Sequence, residues 1–200
     1  VSGELREGFI QRFLEKPSPE EAFSNVINAG LYILEPEVFE HVPVGQKFDF
    51  SKQLFPKLLE LGWPMYAQTI DGVWFDVGQP FELIKAQSVL MSRYSELPFA
   101  YSPQYAEQDG VLIADSATNK GTVNRSVIGP GCHIESEASV EDSLLMHDCQ
   151  VGEGSRVVRS VLGSGVVVPP ECVVEDCVIG DGAVLQSAER YEGKKIEHSP

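Results

Sequence analysis

Glu15 and Lys16 stand side by side just before Pro17, at the end of the aromatic and β-branched run "GFIQRFLEKP". Proline closes such a run because it fixes φ and has no ladder donor. The pair therefore falls at the C-terminal end of an expected strand, which is where open α/β sheets bind ligands. A lysine there offers three N–H donors and a positive charge to a phosphate. The plainer alternative is an ordinary surface ion pair. Asn28 opens the apolar run "NAGLYIL". Its carboxamide can both donate to and accept from sugar hydroxyls, and the alternative is a turn residue. In "GVWFDVGQP", Asp76 lies between an expected strand and a helix N-terminus. A carboxylate there can ligate Mg²⁺, with Trp74 and Gly78 shaping the approach, and the alternative is a loop aspartate.

The elements that must position these residues follow from local patterning. Ser18, Pro19 and Glu21 have the types of an N-cap, an N1 proline and an N3 glutamate, so a short helix is expected after the first strand. "NAGLYILEP" reads as a buried strand ended by Pro36. "DFSKQLFPKLLELG" predicts a helix with Leu54, Phe55, Leu58, Leu59 and Leu61 as its apolar stripe, Pro56 either in its first turn or kinking it, and Gly62 past its end. "MYAQTI" and "VWFDVG" predict two strands joined by a turn at Asp71-Gly72, and "PFELIKAQSVLMSRY" a helix with Pro80 at N1. Strands and helices alternate, which is α/β material, but too little for a complete doubly wound sheet. The Pro- and Tyr-rich stretch 95–110 reads as a linker.

From Val111 the pattern changes. Apolar residues recur at spacings of six, six and five, through Val111, Ala117, Val123, Ile128, Ile134, Val140, Leu145, Val151, Val157, Leu162, Val168, Val174, Ile179 and Leu185, a period of 17. Ser126, Ser143, Ser160 and Cys177 form another column in the same period, and glycines mark the corners. A parallel β-helix explains this, because each coil stacks about 4.8 Å above the last and equal residues form ladders. Cys132, Cys149 and Cys172 then fall in inward columns as small hydrophobes rather than as metal ligands. Residues 188–200 switch the pattern off and read as a polar tail.

Composition bounds the partners. The formal net charge of −15 over 200 residues excludes nucleic acid and anionic membrane surfaces as general partners, but not a small anionic substrate. No apolar run approaches the roughly 20 residues of a membrane span. "VSGELREGFI" has no signal-peptide core, so reduced cysteines and a cytoplasmic location are expected, and a start at Val1 hints at a fragment or a processed start. The chain has no HExxH, no GxSxG and no Gly-rich phosphate loop in its α/β half, and His41, His133, His147 and His198 lack partners at ligand spacing.

The order "FLEKP", "NAGLYIL", "DFSKQLFPKLLELG", "WFDVGQP" and then hexapeptides such as "VIGPGC", "VGEGSR" and "VIGDGA" resembles the sugar-1-phosphate nucleotidyltransferases. Within them it resembles the mannose-1-phosphate guanylyltransferase and glucose-1-phosphate thymidylyltransferase type. The resemblance spans nearly the whole chain. It implies an α/β nucleotidyltransferase-like portion over 1–94, a linker over 95–110 and a left-handed β-helix over 111–187, whose handedness rests on the resemblance alone. It also implies that Lys16 binds the sugar phosphate, Glu15 the sugar hydroxyls, and Asn28 and Gly30 line the sugar pocket. Trp74 then belongs to the substrate site, Asp76 helps hold catalytic Mg²⁺, and the β-helix supports a homo-oligomer. In the family reaction a sugar-phosphate oxygen attacks the α-phosphorus of an NTP and pyrophosphate leaves.

The departure is large. The family's Gly-rich nucleotide loop, its following Arg and Lys-Pro, and a second metal-binding Asp have no counterpart in these residues. The chain therefore resembles the C-terminal half of such an enzyme, expected alone to bind no NTP and to transfer nothing. Two other readings stand beside it. One is a hexapeptide acyltransferase using His133 or His147, although the unbroken period leaves no loop for such a site. The other is a non-catalytic regulatory or assembly subunit, in which Lys16 and Asp76 are relics.

Overall fold

The computed structural model describes residues 7–14, 18–24, 26–93, 105–108 and 110–197. It divides into two compact units, Val1–Trp74 and Phe75–Pro200. The division comes earlier than the boundary expected after residue 94. The reason is that helix α2 (Pro80–Ser92) belongs with the coils, where Gln87 Nε2 donates to the Ser143 carbonyl at 3.1 Å. Pro80 sits in the first turn of α2 as its fixed φ favours.

The first unit is built around a capped turn. Asp49 Oδ1 accepts from the N–H groups of Ser51 and Lys52 at 2.9 and 3.0 Å, and the Asp49 N–H donates to Gln53 Oε1 at 2.9 Å. This satisfies orphan donors from both directions. The helix expected from Asp49 onward is in fact two pieces, a wide π turn over Phe50–Leu54 and helix α1 over Phe55–Glu60. Pro56 explains the break: it has no N–H for the carbonyl four residues back, and the Phe55 N–H reaches instead to Phe50 O. Leu54, Phe55 and Leu58 are buried with Val38, while Leu61 is exposed, and Gly62 ends α1 at φ +74° as expected.

Strand β1 (Glu7–Phe9) is shorter than the run ending at Pro17, and it pairs antiparallel with β2 (Tyr66–Gln68). The hairpin expected between 65–70 and 73–78 is absent: β2 pairs with β1, and 73–78 forms no strand. The helix expected after Ser18 is one turn only, in which the amides of Glu21 and Ala22 donate to Ser18 O and Ser18 N–H donates to Glu21 Oε2. "NAGLYIL" is neither a strand nor buried. Ile33 is fully exposed and Leu31 is 73% exposed, because among the described residues no strand pairs with this stretch.

The second unit is a three-faced parallel solenoid. One face stacks Val111–Ala114 (β4), Val127–Ile128, Leu144–Leu145, Val161–Leu162, Val178–Ile179 and Lys195–Ile196. Another stacks Thr118–Asn119, His133–Ile134, Gln150–Val151 and Val167–Val168, and the third runs from Thr122–Asn124 to Arg190–Glu192. The 17-residue register holds throughout the later coils, as in Leu144↔Val161 and Val157↔Val174. It fails in the first coil. Ile113, not Val111, pairs with Ile128, and Asn119, not Ala117, pairs with Ile134. The corner between Asn119 and Val123 is tighter than the corresponding later one, and Gly121 makes it possible, since a Cβ there would strike Ala138 O.

Both ends of the coil region extend beyond the expected limits. Tyr105–Gln108 (β3), within the expected linker, pairs antiparallel with β4. Arg190–Glu192 and Lys195–Ile196, within the expected tail, continue two of the parallel faces.

The core is the inward column set, with Ile128, Leu145, Leu162, Val140, Val157 and Val174 fully buried. Ser126, Ser143 and Ser160 form a buried ladder. Each Oγ donates to the carbonyl two residues back at 2.7–2.8 Å and accepts the N–H of the residue 17 onward at 3.0 Å. All four cysteines are free and buried, and the thiols of Cys132, Cys149 and Cys172 donate to carbonyls of the next coil. Contact with the Cys132 sulfur, and burial, push the Cys149 thiol up, so it stays protonated and unreactive.

One corner carries a charge ladder in left-handed conformation, with Arg125, Asp142, Arg159 and Asp176 at φ between 44° and 52°. Arg159 donates to Asp176 at 2.8 Å and to Glu175 at 2.7 Å. These hydrogen bonds from Arg159 hold Glu175 and Asp176 below their ordinary values of 4.5 and 3.8. A carboxylate lowered in the folded state contributes stability that is present above its ordinary value and lost as pH falls through the folded one. Arg159→Met is therefore expected to melt below wild type at neutral pH. The gap should begin to narrow as pH falls below 4.5 and 3.8 and close only once pH has passed the still lower values of the folded state. Thermal melts across that range check this, and a gap independent of pH would contradict it.

Candidate functional site

The turn at Asn28–Gly30 is pinned from several sides in the first unit. The Gly30 N–H donates to Asn28 Oδ1 at 3.0 Å, closing a side-chain turn, and Gly30 takes φ +77°, a region glycine enters without a Cβ penalty. Asn28 Nδ2 donates to Tyr32 Oη at 2.6 Å and to Ser51 Oγ at 3.2 Å. From the other end of the unit, Trp74 Nε1 donates to the Ala29 carbonyl at 3.1 Å, and Trp74 is left 43% exposed. Three residues expected at one site, Asn28, Gly30 and Trp74, are thus brought together.

Two further residues join them that the sequence reading did not single out. Ser51 is held by the Asp49 cap, and the Tyr32 ring packs edge-on against Phe55 with centroids 4.9 Å apart. The signal available in the sequence was the D-x-S spacing of Asp49 and Ser51, which marks a capped turn. Glu15 and Lys16 lie outside the described residues. Phe13 packs against Phe55 with ring centroids 5.2 Å apart.

Asp76 begins the second unit. Its Oδ1 accepts the Gly78 N–H at 3.2 Å, and the chain then enters α2 through Gln79 and Pro80. The carboxylate is exposed. Its Oδ2 has no partner among the described residues. Magnesium commonly takes one or two protein carboxylates and completes its shell with water and substrate phosphate. Asp76 fits one such ligand; among the described residues no group of three His, Cys, Asp or Glu forms a metal cage.

The histidines do other things. His41 stacks edge-on with Trp63 at 5.4 Å, and His147 Nδ1 pairs with Asp148 Oδ2 at 2.8 Å on an exposed corner. His133 is an exposed strand residue, and His198 lies outside the described residues. Among those residues no helix is long and apolar enough to cross a membrane.

Comparison with known proteins gives two family matches: Nucleotidyl transferase over residues 2–93, and GlmU-like, C-terminal hexapeptide over residues 104–190. A UTP--glucose-1-phosphate uridylyltransferase from Synechocystis sp. is 30% identical, covering 94% of this chain and 56% of that protein. A glucose-1-phosphate adenylyltransferase from Desulfitobacterium hafniense is 28% identical, over 96% of this chain and 49% of the other. The catalytic subunit beta of a mannose-1-phosphate guanylyltransferase from Drosophila pseudoobscura pseudoobscura is 29% identical, over 94% and 46%. The chain spans about half the length of the curated relatives it matches. The chain thus joins a segment that matches Nucleotidyl transferase to one that matches the GlmU-like C-terminal hexapeptide family, and its relatives are named as sugar-1-phosphate uridylyl-, adenylyl- and guanylyltransferases.

Proposed function

We propose that this chain supplies the sugar-phosphate side of an enzyme that makes an NDP-sugar and pyrophosphate from an NTP and a sugar 1-phosphate. The observation that carries the reading is the pinned Asn28–Gly30 turn, with hydroxyl groups and an exposed indole gathered around it inside the segment matching Nucleotidyl transferase. Polyol recognition needs such convergent neutral donors and acceptors beside an aromatic surface. Lys16 then neutralises the sugar phosphate, and Glu15 accepts from sugar hydroxyls. The exposed Ile27, Leu31 and Ile33 suit a strand that gains partners when a nucleotide-binding portion is present.

The chemistry asked of these residues is positioning and charge neutralisation. Lys16 holds the phosphate whose oxygen attacks the α-phosphorus, and the fixed turn holds the sugar ring that follows it. Asp76 would give one carboxylate oxygen to Mg²⁺. When bound, that ion neutralises the charge developing on the leaving pyrophosphate. The solenoid serves assembly as a homo-oligomer in the cytoplasm. Pyrophosphate release from a panel of NTPs with glucose 1-phosphate or mannose 1-phosphate tests the reading in the intact protein. Release that requires both substrates and magnesium is expected, and no release with any pair would overturn it.

A further inference from the structure

We propose that the pocket where the ends of β1 and α1 meet the loop into β2 is a small-molecule site, and that it takes a flat, uncharged ring system with an amide-like edge. The inference goes beyond the sugar 1-phosphate reading and does not depend on it.

A helix-ending motif builds one wall. Gly62 takes φ +74°, its N–H donates to Leu59 O at 3.0 Å, and the Trp63 N–H donates to Leu58 O at 2.9 Å. This pair of bonds reverses the chain past α1 and fixes where Trp63 starts. The His41 ring then packs edge-on against the Trp63 ring with centroids 5.4 Å apart. The opposite wall is tied to the same loop, since the Ile10 N–H donates to Met65 O at 2.7 Å. Phe9 is held by the Tyr66 ring, edge-on at 5.3 Å. Leu59 and Trp63 from the first wall and Phe9 and Met65 from the second line a pocket of about 330 Å³. That is the small end of the range for ligand sites, which are usually preformed as this one is.

The lining decides the class of ligand. None of its side chains is charged, so an ionised group would lose water there and gain no counter-charge. An anion gains nothing from the wider field either, in a chain of net charge −15. Phe9 and Trp63 offer aromatic surface, and Leu59, Pro64 and Met65 offer apolar surface, which suits a flat ring. Two polar groups in the lining are unspent. Among the described residues, neither the Trp63 indole N–H nor the Gln11 carboxamide makes a hydrogen bond. An indole N–H only donates, while a carboxamide both donates and accepts. A ring edge that carries a carbonyl next to an N–H answers both: the carbonyl accepts from these donors, and the N–H donates to Gln11 Oε1. Neutral heteroaromatic lactams have that edge.

The test is titration calorimetry of the protein with carbostyril, a neutral fused lactam, beside naphthalene, which has the shape without the polar edge, and quinaldate, which adds a carboxylate. Saturable binding of carbostyril is expected, with naphthalene weaker and quinaldate weaker still. Trp63→Phe keeps an aromatic ring and removes the N–H, and Gln11→Ala removes the carboxamide. Each is expected to weaken carbostyril about 3- to 10-fold, and Gln11→Ala to leave naphthalene unchanged. Gln11 is exposed, so Gln11→Ala should melt with the wild type and keeps the test independent of folding. No saturable binding of carbostyril to the wild-type protein overturns the inference, as does wild-type affinity for carbostyril in both variants. Quinaldate binding as tightly as carbostyril overturns the uncharged class. Each of these outcomes leaves the sugar 1-phosphate reading where it stands.

Discussion

Asp76→Asn is expected to lower the rate of NDP-sugar formation by on the order of 100-fold while leaving the thermal midpoint unchanged. The separation of the two effects follows from the local geometry. Asp76 Oδ1 accepts the Gly78 N–H at 3.2 Å, and an asparagine carbonyl accepts it equally well, so the turn into α2 survives. What asparagine lacks is the negative charge and the second anionic oxygen, and these are what a divalent ion binds. The loss should appear chiefly in kcat, with a raised magnesium requirement, because charge neutralisation matters most as pyrophosphate departs. Asp76→Ala would remove the turn as well as the charge, so it is the less informative variant. If Asp76→Asn keeps full activity, Asp76 is a structural turn residue, and the reading of the solenoid-bearing chain as a regulatory or assembly relative gains ground.

Gly129→Ala is expected to be among the most damaging conservative changes in the solenoid, with Gly121→Ala and Gly152→Ala, at about 3 kcal/mol of unfolding stability. Gly129 does not adopt positive φ, so backbone freedom is not the reason. An added Cβ would sit 2.6 Å from Met146 O, 2.7 Å from the Met146 carbonyl carbon and 2.9 Å from Leu145 O. These are backbone atoms of the next coil and cannot swing aside. The Gly129 N–H donates to Leu145 O at 2.9 Å in the same place, so relief of the collision pulls a ladder hydrogen bond apart. Gly165→Ala is the contrasting case. Gly165 is at φ +69°, yet the nearest atom to an added Cβ is Gly182 Cα at 3.9 Å. Its cost is the left-handed backbone alone, about 1–2 kcal/mol. Asp148, in the same corner column, already carries a side chain at φ +59°. Urea unfolding should rank Gly129→Ala well below Gly165→Ala, and the opposite ranking would contradict the stacked-coil geometry.

These two glycines also show where the sequence was legible and where it was not. The 17-residue period gave the solenoid, its inward columns and its buried cysteines directly, because stacking makes each coil repeat the demands of the one below. The period could not tell a glycine needed for φ from one needed for space, since both recur at corners. Nor could it locate the shortened first coil, where Ile113 and Asn119 replace Val111 and Ala117 in the pairing. That shift depends on a tight corner at Gly121, a single contact outside the pattern.

In the first unit local signals worked where the partners were local. Gly62, Pro56 and Pro80 behave as their chemistry dictates. Strand expectations fared worse, because a strand exists only with a neighbour. "NAGLYIL" has the composition of a buried strand, but its backbone finds no ladder among the described residues. For the candidate site, Asn28 was readable as an amide at the mouth of an apolar run and Trp74 as an aromatic group close to Asp76. The hydroxyl pair of Tyr32 and Ser51 was not, since it forms only when Ser51 meets the Asn28 amide 23 positions away.

The most direct test of a sugar-phosphate half-site is isothermal titration of the 200-residue chain with mannose 1-phosphate, glucose 1-phosphate, GTP and dTTP. Saturable binding of a sugar 1-phosphate is expected, abolished by Lys16→Met, with no tight binding of either nucleotide. Tight nucleotide binding, or sugar-phosphate affinity unchanged in Lys16→Met, would contradict it.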